Sequence, residues 1–97
     1  MKIIKRSGSE AVFDSNKIIA AVQKANASVI DYEKLTEQQI KEIAANVETA
    51  CENMKRSPSV EEIQDMVENQ LMNQRAFTVA RNYITYRYKR ALVRKSN

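Results

Sequence analysis

Histidine and tryptophan are absent from this 97-residue sequence, and cysteine, glycine and proline occur once each. A single cysteine cannot form an internal disulfide, and the usual Cys/His spacings of zinc sites need histidines that the chain lacks. Catalytic pairs of serine or cysteine with histidine are excluded for the same reason, and one glycine cannot build a Walker-type phosphate loop. We therefore expect no metal site, no catalytic residues and no enzymatic activity of this chain alone.

Long apolar runs are missing as well. No run approaches the roughly 20 residues of a transmembrane helix, and no signal-peptide apolar segment follows the first two residues. A composition with 43% hydrophobic and 29% charged residues is typical of a folded chain rather than a disordered one. We expect a single helix-rich domain that is cytoplasmic and has no membrane partner.

The charge is unevenly distributed along the chain. The net charge is +4, but all twelve acidic residues lie at or before Glu68. Seven cations follow without an acid among them: Arg75, Arg81, Arg87, Lys89, Arg90, Arg94 and Lys95. A cationic helix of this kind can bind the phosphates of a nucleotide or of nucleic acid, or can serve only solubility.

The stretch IIKRSGSEAVFDSNKI, residues 3–18, predicts a β-hairpin that runs directly into a helix. Apolar residues alternate on both sides of the turn, and Gly8 can adopt the positive φ that a tight turn needs. Asp14 or Ser15 can cap the first free N–H groups of the helix, which the spacing predicts to end near residues 26–28.

Three more helices follow from local signals. Thr36 with Gln39 forms a capping box before a helix over residues 36–54, and the only proline stops that helix. Ser59 with Glu62 forms a second capping box before the third helix. The fourth helix is predicted to pack through an apolar stripe: Phe77, Ala80, Ile84, Tyr88 and Ala91. The outline is a small α+β fold.

Cations also gather at the start of the chain. Lys5 and Arg6 lie at the hairpin turn, and Lys17 lies in the first turn of the following helix. A lysine at a helix N-terminus is mildly unfavourable because of the helix dipole, unless an anion lies nearby. These residues favour an anion-binding site over a catalytic one.

Together these segments resemble the ATP-cone domain. The stretch IIKRSGSEAVFDSNKI resembles its opening strand, Lys-Arg-x-Gly turn, second strand and first helix. SPSVEEIQDMVENQL resembles its third helix and ARNYITYRYKR its closing helix. The resemblance implies a β-hairpin capping a bundle of about four helices. It places the cone at residues 1–92 and the start of a linker to a catalytic domain at residues 93–97.

The family implies an allosteric site that senses ATP against dATP. Cones occur in ribonucleotide reductases and in a repressor of reductase genes, and the repressor carries a zinc ribbon that this sequence lacks. The ending KRALVRKSN most resembles the anaerobic ribonucleoside-triphosphate reductase, so we expect the overall-activity site of that enzyme, switched on by ATP and off by dATP. The alternatives within the family are the cone of another reductase class or of the repressor. The expected partners are adenine nucleotides, the catalytic domain of the parent enzyme and other cones.

Site residues follow from the resemblance one position at a time. Lys5, Arg6 and Lys89 are expected on the phosphates, and Val60 and Gln64 near the base or ribose. The remaining nucleotide-lining residues are Ala11, Val12, Phe13, Asp14, Lys17 and Ile18. Mg²⁺ is expected to arrive on the phosphates rather than in a protein cage. The chain departs from the family pattern at Ser7, commonly Asp, at Ala11, often Glu, and at Val60, often Thr.

Two other classes of function stay open. The pI near 9.3 and the basic last helix are compatible with a nucleic-acid-binding helical domain. That alternative lacks a helix-turn-helix glycine and does not explain Lys5, Arg6 and Gly8. A protein-interaction module is the third possibility and is compatible with the first. We expect adenine nucleotides rather than nucleic acid.

Overall fold

The computed structural model describes the backbone of residues 1–96 and the side chains of residues 1–93. A two-stranded hairpin precedes four helices, which confirms the predicted α+β architecture. The elements are β1 (Lys2–Ile4), β2 (Glu10–Val12), α1 (Ser15–Ala27), a 3₁₀ turn (Asp31–Glu33), α2 (Glu37–Glu52), α3 (Val60–Asn73) and α4 (Phe77–Ser96). Within residues 1–96, no helix is long and apolar enough to cross a membrane.

The hairpin turn has the geometry that its sequence predicts. The strands are antiparallel, with Ile3 opposite Ala11. The Gly8 N–H donates to the Lys5 carbonyl at 2.8 Å, and Gly8 itself has a φ of +89°. This combination is a three-residue loop, in which a tight turn is followed by a left-handed residue. The Ile4 N–H donates to the Pro58 carbonyl at 2.9 Å, so β1 is also hydrogen-bonded to the segment that precedes α3.

Local caps set the helix starts. Asp14 is the cap of α1, and its carboxylate accepts from the Asn16 N–H at 3.0 Å. Both predicted capping boxes are present, at the starts of α2 and α3. In the second, Glu62 also forms two hydrogen bonds with Arg56, at 2.8 and 2.6 Å. The Arg56 guanidinium, followed by the N–H of Ser59, lowers the pKa of Glu62 to about 2.

The four helices form a closed ring. Each packs on the next in chain order, and α4 closes the ring against α1. The residues at the centre are almost completely buried: Val22, Ile40, Ile43, Val47, Val67, Leu71 and Val79. Ile3 and Phe13 pack against the edge of this core, so the hairpin covers one end of the bundle as expected.

The predicted apolar stripe of α4 is wrong as a core face. Phe77, Ile84 and Tyr88 are 50%, 44% and 64% exposed, whereas Val79 and Tyr83 are 0% and 6% exposed. Only Ala80 of the predicted stripe is buried. The helix carries apolar residues on two faces, and polar contacts to α1 and α3 accompany the packing of one of them on the core.

Two of those polar contacts lie on opposite sides of α4. The Asn82 side chain donates to the carbonyl of Ala25 in α1 at 2.9 Å. Arg87 forms ion pairs with two carboxylates of α3. With both contacts made, Val79 and Tyr83 face the core, while Ile84 and Tyr88 of the predicted stripe stay partly exposed.

The connection from α1 to α2 is fixed by a buried amide that the sequence did not indicate. The Asn26 side chain donates to the Leu35 carbonyl at 3.0 Å and accepts from the Leu35 N–H at 2.9 Å. Asn26 is the buried polar residue of the core, and no described buried side-chain N or O atom lacks a partner. The amide thus holds the loop between α1 and α2 in place.

The turn from α3 to α4 contains a strained residue. The Arg75 N–H donates to the Met72 carbonyl and the Ala76 N–H to the Leu71 carbonyl, both at 3.0 Å. This is a Schellman ending, which places Arg75 at φ +59°. Left-handed backbone costs a residue with a Cβ about 1 kcal/mol.

Replacing Arg75 by Gly is therefore expected to raise the free energy of unfolding by about 0.5 to 1 kcal/mol, because Gly accepts this φ without strain. Gln74→Gly is the matched control, since Gln74 has an ordinary φ of −79°. The control should lose about 0.5 to 1 kcal/mol. Urea unfolding of both variants measures the difference, and equal losses in the two would contradict the strain at Arg75.

At the hairpin, Gly8→Ala should lower the free energy of unfolding by about 1 kcal/mol. Nothing lies within 4 Å of the position that a Cβ would occupy, so the cost comes from backbone strain alone. Gly8→Asn should lose less, because Asn tolerates the left-handed region better. If Ala and Asn proved equally harmful in urea unfolding, the positive φ would not be the cause.

Candidate functional site

A cleft of about 730 Å³ opens between α1, α3 and α4 and reaches the hairpin turn. One face of α1 and one face of α3 form two of its sides, and the second half of α4 forms the third. The turn contributes Arg6, α1 contributes Lys17, Ala20, Ala21 and Lys24, and α3 contributes Gln64 and Glu68. From α4 come Tyr83, Ile84, Tyr86, Arg87, Tyr88, Arg90 and Ala91.

Small side chains of α1 line the cleft opposite the second half of α4. Ala20 and Ala21 lie between the two lysines of the α1 face and leave space where larger residues would close the gap. Tyr83 is 6% exposed and connects the wall of the cleft with the core. Burial raises the pKa of Tyr83 to about 12, so its hydroxyl is neutral at physiological pH.

Positive charge dominates the cleft. Five cations line it, namely Arg6, Lys17, Lys24, Arg87 and Arg90, against one carboxylate, Glu68. Within the described side chains, Lys17, Lys24 and Arg90 form no ion pair. Like charges brought this close raise the energy of the empty cleft, and an anion would lower it.

Arg87 is the most constrained of these cations. One of its terminal nitrogens donates to the carboxylates of Asp65 and Glu68, at 2.8 and 2.7 Å, and the other donates to the Glu61 carbonyl at 3.4 Å. Burial alone would lower the pKa of Arg87, but the hydrogen bonds to the two carboxylates outweigh burial and raise it. Its charge is therefore fixed, although only 23% of the side chain is exposed.

Tyr86 lies between two other cations of the cleft. The Lys24 ammonium is 4.5 Å from the centre of its ring, and the Arg90 guanidinium carbon is 5.9 Å away. Desolvation tends to raise the pKa of Tyr86, but the charge of Lys24 and the hydrogen bond and charge of Arg90 lower it overall. The ring holds both cations at the cleft by cation–π attraction.

The structure brings three of the sequence-predicted residues to this cleft. They are Arg6, Lys17 and Gln64, which come from the hairpin turn, α1 and α3. Ile18 lies in the core at 8% exposure. Lys89 lines a neighbouring hollow with Tyr86, Arg90 and Val93.

The other predicted residues lie around the hairpin and the start of α3, outside the cleft lining: Lys5, Ala11, Val12, Phe13, Asp14 and Val60. Phe13 packs against the core, and the Asp14 carboxylate caps α1. These positions stay predictions for the nucleotide, on the hairpin side of the cleft. The side chain of Arg94, one of the cations of the basic last helix, lies outside the described residues.

Lys24 and Tyr86 are cleft residues that were not predicted from the sequence, and Arg90 was expected only as one cation of the basic last helix. A signal for Lys24 was available, because it lies seven residues after Lys17 and therefore shares its helix face. No such signal relates Arg90 to Lys24, since the two meet only through the packing of α4 on α1. Within the described residues, no group of Cys, Asp or Glu could hold a metal ion.

Comparison with known proteins agrees with this architecture. The chain matches the ATP cone domain family over residues 1–92. It is 36% identical over 97% of its length to the ribonucleoside-diphosphate reductase subunit alpha of Chlamydia trachomatis, covering 10% of that protein. It is 39% identical over 97% of its length to the vitamin B12-dependent ribonucleoside-diphosphate reductase of Thermoplasma acidophilum, covering 12%.

A third relative is the anaerobic ribonucleoside-triphosphate reductase of Haemophilus influenzae, at 37% identity over 96% of the chain and 13% of that protein. The chain thus spans between 10 and 13% of the length of these three relatives. The family model matches nearly the whole chain, and the matched residues form the hairpin, the helices and the cationic cleft. The chain belongs to the ATP-cone family of nucleotide-binding regulatory domains.

Proposed function

We propose that this domain binds ATP and dATP in the cationic cleft and regulates the reductase that carries it. The observation that carries the proposal is the convergence of five cations from three separate elements on one cleft. A triphosphate has about four negative charges and needs several cations to replace its hydration. The cleft volume of about 730 Å³ lies in the range of small-molecule sites.

The residues divide into two groups by their chemistry. Arg6 and Lys17 lie at the hairpin end, beside the N-terminus of α1, where the helix dipole also favours phosphate. Gln64 is the uncharged polar residue of the α3 wall and can donate to or accept from a base or ribose. Mg²⁺ enters on the phosphates, and Lys5 and Lys89 supply further charge at the two ends of the site.

The regulated enzyme is a ribonucleotide reductase. Three relatives with reductase names share 36 to 39% identity with almost the whole chain, although it covers a small part of each. ATP in the cleft switches the enzyme on, and dATP switches it off. Among reductases we propose the anaerobic ribonucleoside-triphosphate class, on the basis of the chain ending KRALVRKSN. The catalytic domain and neighbouring cones of that enzyme are the partners.

Removing a phosphate-binding cation should weaken nucleotide binding without unfolding the domain. Arg6→Ala and Lys17→Ala are each expected to cost about 1 to 2 kcal/mol of ATP affinity, as charge-assisted contacts do. Lys41→Ala is the matched control, since Lys41 is an exposed lysine of α2, the helix that contributes no residue to the cleft. Calorimetric titration with ATP, dATP and GTP measures all three variants.

Two outcomes of that titration would contradict the proposal. The first is a folded wild-type chain that binds neither ATP nor dATP at millimolar concentration. The second is an equal loss in Lys41→Ala, because general charge rather than the cleft would then determine affinity.

The nucleic-acid alternative makes a different prediction for α4. Arg87 is already paired with Asp65 and Glu68, so nucleic acid, like a nucleotide, would have to displace these carboxylates before it could bind Arg87. We expect the chain to bind single-stranded DNA only weakly and ATP to displace that DNA. Arg81→Ala, at an exposed position outside the cleft, should change the affinity for DNA little. Tight DNA binding that ATP does not displace, with a steep dependence on salt, would reverse this judgement.

A further inference from the structure

Two of the three arginines that line the cleft, Arg6 and Arg87, are held by carboxylates of α3. The Arg6 Nε donates to the Glu61 carboxylate at 3.3 Å. Arg87 is paired with Asp65 and Glu68, as described above. The lysines of the cleft, by contrast, have no carboxylate partner within the described side chains.

The three carboxylates belong to a single helix face. Glu61, Asp65 and Glu68 are separated by four and three residues, which places them in line along α3. Gln64, on the cleft wall, lies within the same face. We call this set of carboxylates, Glu61, Asp65 and Glu68, the α3 acidic face. It runs from the hairpin turn, where it meets Arg6, to the α4 wall, where it meets Arg87.

We propose that the α3 acidic face competes with the nucleotide phosphates for Arg6 and Arg87. This inference rests on the proposed function of the cleft. In the empty domain the carboxylates take the place that phosphate oxygens take in the bound domain. Binding is then an exchange of partners, in which each arginine leaves a carboxylate and turns to a phosphate.

The chemistry of the two partners makes the exchange feasible. A guanidinium binds carboxylate and phosphate oxygens with the same fork of N–H donors. The Arg6–Glu61 pair is accessible, with 49% and 38% of the two side chains exposed, so it contributes little stability and opens readily. Arg87 is only 23% exposed and has two carboxylate partners, so Glu61 is the carboxylate whose removal should act most directly on affinity.

Removal of this competitor should strengthen nucleotide binding. Glu61→Gln is expected to bind ATP roughly fivefold more tightly than the wild-type chain, since it frees Arg6 and removes a repelling charge. The gain should shrink from ATP through ADP to AMP and vanish for adenosine, because carboxylates compete with phosphates only. Asp65→Asn should gain less, since Glu68 remains on Arg87.

Asp31→Asn is the control for net charge. It removes the same charge from the Lys34 pair at the 3₁₀ turn, outside the cleft. Its affinity for ATP should stay within about twofold of the wild-type value, because a distant exposed charge is screened by salt. Calorimetric titration of all four chains, with and without Mg²⁺, gives the comparison, and thermal unfolding verifies that each variant is folded.

The possible failures are distinguishable. A wild-type chain that binds no ATP overturns the proposed function itself. Wild-type binding with unchanged or weaker binding by both α3 variants overturns only the competition. A loss confined to Mg²⁺-containing samples would mean that Glu61 serves the metal on the phosphates instead. A gain equal for ATP and adenosine would assign Glu61 an effect on cleft shape, which also contradicts the proposal.

Discussion

The packing of α4 against α1 and α3 is the contact on which the candidate site depends. Val79 and Tyr83 fill the core from the first half of α4, while the second half forms one wall of the cleft. Asn82 and Arg87 fix the rotation of the helix through contacts on opposite sides. A different rotation would bury Ile84 and Tyr88 and remove the arginines from the cleft, so one packing choice determines both the core and the site.

Charge is the second constraint, and it opposes the first. Packing the helices brings Lys17, Lys24 and Arg90 towards one another without a carboxylate partner among the described side chains. Coulomb repulsion in a partly desolvated cleft is stronger than in bulk water. The α3 acidic face offsets part of this cost in the empty state, and Tyr86 offsets another part through its ring. The carboxylates and the ring thus compensate part of the positive charge of the cleft in the absence of a ligand.

Local signals predicted most of the fold and only part of the site. The turn at Gly8 and the caps at Asp14, Thr36 and Ser59 depend on residues close in sequence, and the structure confirms them. The buried amide of Asn26 and the rotation of α4 depend on residues far apart, and sequence periodicity cannot reveal them. A helix with two apolar faces satisfies the same pattern in either orientation. The place of Lys17 beside the hairpin was predictable because it depends only on the first turn of α1. The place of Arg90 in the cleft was not predictable, because it depends on how α4 packs on α1.

The scarcity of glycine explains the kind of site that this domain has. A glycine-rich loop presents preorganised backbone N–H groups to phosphate and carries little charge when it is empty. The one glycine of this chain is used at the hairpin turn, so the phosphate site that we propose relies mainly on long cationic side chains. Such side chains need counter-charges in the absence of ligand, and α3 supplies them to Arg6 and Arg87. If phosphates displace the α3 carboxylates as we propose, nucleotide binding changes the contacts between α3 and its neighbours, and the change in those contacts signals to the rest of the enzyme that the cleft is occupied.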